Sequence, residues 1–334
     1  MIDEDISAIV EALNKDNLSF EGRKVLITGG AGFLGSWICN VLVEHNAKVT
    51  CIDNLASGRS KNIAGLRGKE NFEFIEHDIS RPIELDKKFD IVMHLASRAS
   101  PFEFEKHPIQ ILKANTLGIW IALGIAKKHS ARFLYTSTSE IYGDADPRFI
   151  PTSESYNGNV NPVGPRSCYD EAKRAGESFV KAYELQHGLD TRIVRIFNTY
   201  GPLMRAGDIY GRAVPRFIDQ ALKGEPITVF GNGTQTRSFT YVTDEVEGIL
   251  KLAAIDEAES EVVNLGSDKE TNILDLAKLI KELTNSRSEI TFYPLPKDDP
   301  KRRCPDITKA KRLLDWKPRV PLKEGLKSTI EWFK

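Results

Sequence analysis

The chain has 334 residues, of which 41% are hydrophobic and 28% are charged, and its formal net charge is -1. This length accommodates one large domain or two closely joined domains, and either can bury a sizeable core. A nearly neutral chain has no electrostatic basis for binding nucleic acid, so we predict no nucleic-acid partner.

Cysteine and histidine spacing bears on metals and disulfides. The four cysteines (Cys39, Cys51, Cys168 and Cys304) are scattered, and neither they nor the six histidines form a CxxC, HxH or HExxH pattern. We therefore predict neither a disulfide framework nor a metal site.

No apolar run approaches the length that crosses a bilayer, and residues 3–5 are acidic where a signal peptide is basic. These features predict a cytoplasmic protein without a membrane partner.

Strand-like and helical patterns alternate along the first 200 residues. Residues 1–20 carry apolar side chains at helical spacing, which predicts an N-terminal helical extension. The alternation that follows predicts a Rossmann-type α/β fold, in which helices cover both faces of a doubly wound parallel sheet. The predicted strands are 25–28, 48–52, 72–75, 91–96, 132–137 and 191–197, and the predicted helices are 34–45, 109–129 and 169–187.

The sequence pattern changes after the last of these strands. Loops rich in Gly and Pro run from Gly201 to about Gly233 and predict entry into a smaller C-terminal lobe. Asn272 and Asp275 predict a capped helix, and residues 322–333 predict another. We predict a first domain over 21–200 and about 236–268, and a second lobe over 201–235 and 269–334.

A glycine-rich turn directly follows the first predicted strand. Gly29, Gly32 and Gly35 recur at three-residue intervals and open an apolar helix. Such glycines let the backbone approach a pyrophosphate, and the helix N-terminus supplies free N–H groups. Asp53 ends the second strand, where a carboxylate accepts the ribose hydroxyls of NAD and repels a 2′-phosphate. The pattern predicts NAD. Arg59 is close enough in sequence to leave NADP open as an alternative cofactor. A separate alternative for Asp53 is a simple role as a turn residue at the end of the strand.

Tyr169 and Lys173 are four residues apart on a predicted helix, so their side chains share one face. The spacing alone is weak, because Tyr293 and Lys297 repeat it in a segment interrupted by prolines. The first pair follows the polar run 136–140 at a strand end, where parallel sheets bind ligands. We expect the nearby ammonium to lower the pKa of the phenol, so that Tyr169 takes a proton from a sugar hydroxyl while hydride leaves the same carbon.

Together these residues resemble the extended short-chain dehydrogenase/reductase family, which carries a GxxGxxG turn, a Ser/Thr and YxxxK on one Rossmann domain. The finer resemblance is to the branch that decarboxylates UDP-glucuronate, through GGAGFLGSW, HLASRASP, STSEIYGD, NPVGPRSCYDEAKR, RIFNTYGP, GNGTQTRSFTYV and RCPDI. It implies conversion of UDP-glucuronate to UDP-xylose through a 4-keto sugar, with internal recycling of NADH. It also implies a homodimer joined through 103–129 and 168–187.

The resemblance assigns the first domain to NAD and the C-terminal lobe to the nucleotide sugar. Thr138 and Tyr169 become the proton-handling pair, and Lys173 contacts the nicotinamide ribose. Asp78 is a weaker candidate for a contact to adenine. The implied cofactor-binding residues are Gly29, Gly32, Phe33, Leu34, Gly35, Asp53, Asn54, Asp78, Ile79, Leu95, Ala96, Tyr169 and Lys173.

The residues after Thr138 help to separate the reactions of this family. Sugar 4,6-dehydratases have an Asp-Glu pair there, because losing water from C6 needs an acid as well as a base. Ser139 cannot readily supply that acid, so Ser139 with Glu140 fits a decarboxylase best, although a purely structural Glu140 stays open. Arg303 matches the position that faces the substrate carboxylate, although a run of three basic residues is also typical of a solvated surface.

Two further residues match substrate contacts. Arg237 matches the arginine that holds the diphosphate through bidentate bonds, and Asn198 matches a substrate contact. The chain departs from the pattern at Arg98, where proline is usual, and at 205–217, which is longer than expected. The added cation, Arg98, could hold a uronate carboxylate or change the reaction that follows oxidation of the sugar. A UDP-sugar or UDP-uronate 4-epimerase, a 4,6-dehydratase and a non-catalytic dinucleotide-binding regulator therefore remain as alternatives.

Overall fold

The computed structural model describes residues 2–205 and 212–334. Residues 206–211, which belong to the long segment 205–217, lie outside the described residues. The helices are α1 (Ile2–Lys15), α2 (Phe33–Glu44), α3 (Pro101–Lys106), α4 (Pro108–His129), α5 (Ser167–His187), α6 (Ala213–Lys223), α7 (Val242–Ala254), α8 (Ile273–Leu283), α9 (Thr308–Leu314) and α10 (Leu322–Phe333). The strands are β1 (Lys24–Thr28), β2 (Lys48–Asp53), β3 (Phe72–Glu76), β4 (Ile91–His94), β5 (Arg132–Thr138), β6 (Thr191–Ile196), β7 (Thr199–Tyr200), β8 (Ile227–Phe230), β9 (Thr236–Ser238), β10 (Thr240–Tyr241), β11 (Val262–Leu265), β12 (Glu270–Asn272), β13 (Ile290–Tyr293) and β14 (Arg302–Arg303).

A seven-stranded parallel sheet forms the centre of the molecule, in the order β11-β6-β5-β4-β1-β2-β3. In its middle, Ile27 of β1 pairs with Cys51 of β2 on one side and with Met93 of β4 on the other. These strands are continuously apolar because helices cover both faces of the sheet. The predicted Rossmann-type doubly wound sheet is confirmed.

Each strand predicted in the first 200 residues is present, with its ends displaced by at most two residues. The prediction over 91–96 ends early, at His94, so Leu95 and Ala96 lie in the loop after β4. The helix predicted over 109–129 is present as α4, whereas the longer segment 103–129, implied by the resemblance for a dimer contact, is divided between α3 and α4. The backbone breaks at His107 because Pro108 has no N–H to donate and restricts the residue before it.

Helix α4 corrects the expectation that no segment approaches a membrane-spanning length. Its 22 residues are long and apolar enough to cross a bilayer by length and composition alone. A core helix of a soluble protein passes the same test, and 44% of the apolar window of α4 is buried inside the molecule. Ile119 and Leu123 face the core, whereas Ile109 and Trp120 are exposed. The apolar composition therefore comes from two faces, one packed and one open.

Small sheets from the second half of the chain stand beside the central one. Strand β9 lies between β12 and β14, which places Arg237 opposite Arg303, and β13 pairs with β8. As predicted, Asn272 caps α8, its side chain accepting the N–H of Asp275 at 2.7 Å. The exact division of the chain into two lobes stays a prediction.

Candidate active site

One large cavity, of about 1170 Å³, borders the loops that follow the carboxyl ends of β1 to β6. Every site residue predicted from the sequence lines this cavity. The predicted residues brought together are Gly29, Gly32, Phe33, Leu34, Gly35, Asp53, Asn54, Asp78, Ile79, Leu95, Ala96, Arg98, Thr138, Ser139, Glu140, Tyr169, Lys173, Asn198, Arg237 and Arg303.

The glycine turn between β1 and α2 has no room for side chains. Gly29 has a φ of +76°, and a Cβ there would lie 2.7 Å from Cα of Ala96. A Cβ on Gly35 would lie 2.2 Å from the carbonyl oxygen of Gly29. Because the glycines have no side chains, the backbone of this turn packs tightly against the start of α2. The first N–H groups of α2 have no partners within the helix. This close-packed turn fits the pyrophosphate of a dinucleotide.

Asp53 has a structural role at the end of β2. Its carboxylate accepts the N–H groups of Ala31 at 3.0 Å and of Leu55 at 2.8 Å. Burial raises the pKa of Asp53, and these two bonds partly offset the effect. The side chain thus braces the glycine turn while bordering the cavity, so the turn role and a ribose contact are compatible.

Tyr169, Thr138 and Lys173 are buried together at the junction of β5 and α5. Thr138 is close enough to the phenol of Tyr169 to lower its pKa, against the larger effect of burial. Lys173 donates from Nζ to the carbonyl oxygen of Thr136 at 2.7 Å, and Nζ lies 6.0 Å from the centre of the Tyr169 ring. Burial lowers the pKa of Lys173 to about 7.

The expected lowering of the phenol pKa is wrong for this arrangement. Burial, followed by the negative charge of Glu140, raises the pKa of Tyr169 to about 12, against the opposing effect of the nearby Thr138. The ammonium of Lys173 is directed to Thr136 and is itself only partly charged near neutral pH. The charge of Arg212 at the cavity wall lowers this pKa in part, and a further positive charge there would favour proton removal by Tyr169.

Glu140 is held by two arginines. Arg303 donates from Nη1 and Nη2 to the two carboxylate oxygens, both at 2.7 Å, and Arg166 donates from Nη2 to Oε2 at 2.5 Å. Burial alone would raise the pKa of Glu140, but the two guanidinium groups hold it well below its usual range. Glu140 is therefore ionised at neutral pH, and it lies beside Thr138 and Ser139 in the chain.

The other polar side chains that were predicted to contact substrate also have protein partners. Arg237 donates to Oδ2 of Asp299 at 2.9 Å, and Asn198 donates to the carbonyl oxygen of Ser238 at 3.2 Å. Burial lowers the pKa of Arg237, although Asp299 opposes this effect. The guanidinium is buried at the cavity wall, where an anion would be poorly screened.

Sequence reasoning missed several residues of the cavity wall. Arg166 lies three positions before Tyr169 on the same helical turn, a spacing that could have identified it. Phe104 stacks on Tyr169, but α3 carries no pattern that would have pointed to it. Tyr293 and Lys297, used above as a chance repeat of the YxxxK spacing, are indeed not on a helix, yet both line the cavity.

A parallel sheet with a glycine turn, together with a buried Tyr–Lys pair beside a threonine, defines a short-chain dehydrogenase/reductase of the extended type. The chain belongs to the NAD dependent epimerase/dehydratase family, whose sequence model matches residues 25–266.

Named relatives lie within this family. UDP-glucuronic acid decarboxylase 1 of Danio rerio is 47% identical, over 99% of this chain and 81% of that protein. UDP-glucuronic acid decarboxylase 1 of Xenopus tropicalis is 49% identical, over 93% of this chain and 72% of that protein. A solved structure of UDP-glucuronic acid 4-epimerase from Bacillus cereus, in complex with UDP-glucuronic acid and NAD, has a TM-score of 0.81 and 29% identity, covering 92% of this chain and 98% of that one.

Proposed function

We propose that this chain is an NAD-dependent decarboxylase that converts UDP-glucuronate to UDP-xylose through a 4-keto intermediate. The observation that carries the proposal is the bidentate pair of Arg303 and Glu140, placed in the same cavity wall as Tyr169 and Thr138. This arrangement puts a carboxylate-binding cation beside an oxidising centre. Relatives named as UDP-glucuronic acid decarboxylases support it over nearly the whole chain.

The cofactor half of the cavity fits NAD. The turn at Gly29 and Gly35 and the start of α2 would hold the pyrophosphate, and Asp53 would accept the ribose hydroxyls. Asp78 and Ile79 line the cavity after β3, on the side expected for adenine. When bound, NAD supplies the acceptor for a hydride from C4 of the sugar and later returns that hydride, so no external reductant is consumed.

Proton transfer at C4 falls to Tyr169 and Thr138. Because the pKa of Tyr169 is about 12, the phenol is protonated in the protein alone. The positive charge of bound oxidised NAD would favour the ionised form of the Tyr169 phenol. Tyr169 then accepts the C4 hydroxyl proton with the nearby Thr138 orienting that hydroxyl, and Lys173 would hold the nicotinamide ribose.

Decarboxylation follows from the ketone at C4, since the carboxylate on C5 is then beta to a carbonyl group. The C5–C6 bond breaks, carbon dioxide leaves, and the electron pair passes into the C4 carbonyl as an enolate, after which C5 takes up a proton. Arg303 holds the carboxylate out of the ring plane, so that the breaking bond overlaps the carbonyl group. Arg237 holds the diphosphate, and Asn198 contacts the sugar.

The test is a product analysis with purified protein, NAD and UDP-glucuronate, followed by NMR. The expected products are UDP-xylose and carbon dioxide; a retained carboxylate with inverted C4 would overturn the proposal. Arg303→Ala should stop release of carbon dioxide while leaving part of the NADH formation. Its matched control is Arg302→Ala, because the neighbouring Arg302 is exposed and paired with Glu270.

A UDP-glucuronate 4-epimerase is the second candidate. The fold similarity to the Bacillus cereus 4-epimerase favours it, since both reactions share oxidation at C4. An epimerase must turn the 4-keto sugar over and keep its carboxylate in the ring plane. The product analysis separates the two reactions directly, because only decarboxylation removes a carbon.

We also propose that two copies of the chain associate through α4 and α5. These helices pack side by side, and their outer surface exposes Ile109, Leu112 and Trp120 on α4 and Leu185 on α5. Several exposed large apolar side chains on one pair of packed helices are typical of a protein interface. A second copy that presents the same face would cover it in an isologous four-helix contact.

A further inference from the structure

The carboxylate of Glu140 has one arginine more than its charge requires. Arg166 and Arg303 carry two positive charges, and Glu140 carries one negative charge. Asp170 lies 3.7 Å from Nε of Arg166, but burial, and next the charge of Glu140, raise its pKa to about 8, so it is largely neutral at pH 7. Asp299 has its own partner in Arg237. The cluster therefore has a surplus of one positive charge.

Unused donors accompany this surplus charge. Nε of Arg166 and Nε of Arg303 are both buried, and within the part of the chain that the structure describes neither has a hydrogen-bond partner. Buried charged donors without partners are costly, and acceptor oxygens from a bound ligand would remove that cost. A substrate carboxylate supplies both the missing negative charge and the missing acceptor oxygens.

The two arginines differ in what else holds them. Arg166 lies over the ring of Phe104, 5.6 Å from its centre, and is also 4.0 Å from Asp299 and 3.7 Å from Asp170. Among the described residues, Arg303 forms an ion pair with Glu140 alone. Arg303 can thus exchange its partner, whereas Arg166 is fixed from several sides.

We propose that Arg166 is a positioning residue that holds Glu140 while Arg303 transfers its bidentate bonds from Glu140 to the carboxylate of the substrate. Without Arg166, releasing Arg303 would leave Glu140 buried as an unpaired anion, which is strongly unfavourable. With Arg166 in place, the exchange ends with two cations facing two anions. This inference rests on the proposed function, because it requires a substrate that carries a carboxylate.

The first test compares two nucleotide sugars that differ in that carboxylate. Binding is measured calorimetrically with NAD-loaded Tyr169→Phe protein, which cannot begin turnover, with and without Arg166→Gln. We expect Arg166→Gln to weaken UDP-glucuronate by about tenfold, or about 1.4 kcal/mol, and UDP-xylose by less than about threefold. Equal weakening of both ligands would show a merely structural role, and no weakening of either would overturn the inference.

The second test uses turnover in the otherwise natural chain. Arg166→Gln should lower kcat for carbon dioxide release by about tenfold while enzyme-bound NADH accumulates, because oxidation at C4 does not require the exchange. Arg166→Lys should restore part of the rate, since an ammonium keeps the charge. Lys181→Gln, which removes a cation from the far end of α5, is the control and should leave the rate unchanged.

The outcome for the wild-type protein separates the two proposals. If it releases no carbon dioxide, the proposed function fails, while the binding comparison still reports on Arg166. If it forms UDP-xylose and the Arg166 variants bind and turn over normally, only the exchange of partners is excluded.

Discussion

Arg98 donates from Nη1 to Oε2 of Glu103 at 2.7 Å, so the cation added to this cavity wall has its own counter-ion. Glu103 is buried, and it is also approached by Nη1 of Arg205 at 3.5 Å and by Nε2 of His107 at 3.8 Å. Two arginines share one glutamate here, so the group keeps a net positive charge at the cavity wall. A direct contact of Arg98 with the substrate stays a prediction.

Removing that cation should affect binding more than chemistry. We expect Arg98→Gln to raise KM for UDP-glucuronate by about threefold to tenfold, corresponding to about 0.7 to 1.4 kcal/mol, while kcat changes by less than about twofold. The increase should shrink at high salt, because Arg98 is partly exposed and its charge is screened. Steady-state kinetics at two salt concentrations provide the measurement, and Arg148→Gln, which removes an exposed ion pair outside the cavity, is the control. A fall in kcat at unchanged KM would contradict this account.

The glycine turn permits a sharper structural test. A Cβ on Gly35 would overlap backbone at Gly29, so we expect Gly35→Ala to weaken NAD by at least about tenfold and to destabilise the fold by about 1 to 3 kcal/mol. Gly65→Ala is the matched control, because a Cβ there meets nothing within 4 Å and Gly65 lies in the short 3-10 helix over Ser60–Leu66, outside the cavity. The control should leave both NAD binding and stability close to those of the wild type. Chemical denaturation and NAD titration measure both effects, and equal behaviour of the two variants would refute the role assigned to Gly35.

The sequence predicted the part of this molecule in which local pattern and tertiary environment agree. Buried parallel strands must be apolar along their whole length, so β1 to β6 could be located within two residues. The start of α4 was predicted within one residue, whereas the short helix α3 before it carries no pattern that could have predicted it. Strand β11 and the pair of β8 with β13 depend on partners distant in sequence, for which no local pattern exists.

The residues of the candidate site were likewise predictable where they stand in local motifs, and not where they depend on contacts between distant segments. Tyr169, Lys173 and Asp53 stand in short motifs whose spacing follows from a helix or a strand end. Glu140 follows β5, and its two partners lie in β14 (Arg303) and directly before α5 (Arg166). Because these segments are distant in sequence, the contact of Arg166 with Glu140 could not be predicted from a local pattern. Likewise, the phenol pKa of Tyr169 depends on burial and on Glu140, and proximity of a lysine in sequence pointed in the wrong direction.

The proposed association of two chains predicts that one exposed residue is sensitive to charge. Trp120 is 53% exposed on α4, and Phe292 is 55% exposed on β13, away from that helix. Trp120→Glu should produce a monomer at micromolar concentration, because a carboxylate would be desolvated in the contact, whereas Phe292→Glu should leave the dimer intact. Light scattering after size exclusion measures the mass. A monomeric wild type, or dissociation caused only by Phe292→Glu, would rule out the α4–α5 surface.

Glu245 provides a prediction about stability and pH. It is fully buried in α7, and burial, partly offset by Thr199 and increased by the charge of Asp244, raises its pKa to about 8. In the unfolded chain a glutamate titrates near about 4.3. Between these two values the folded protein keeps a proton that the unfolded chain has released, so this residue makes the fold progressively less stable as pH rises from about 4.3 to 8.

Glu245→Gln removes that titration and keeps the shape of the side chain. The free energy of unfolding of the variant should therefore exceed that of the wild type by an amount that grows between pH 5 and pH 8, at up to about 1.4 kcal/mol per pH unit. Urea denaturation at pH 5, 6.5 and 8 measures the difference. Glu225→Gln, on an exposed loop, should show no such growth with pH. A constant difference for Glu245→Gln across this range would mean that Glu245 is ionised in the folded protein as it is in the unfolded chain, which would contradict the raised pKa.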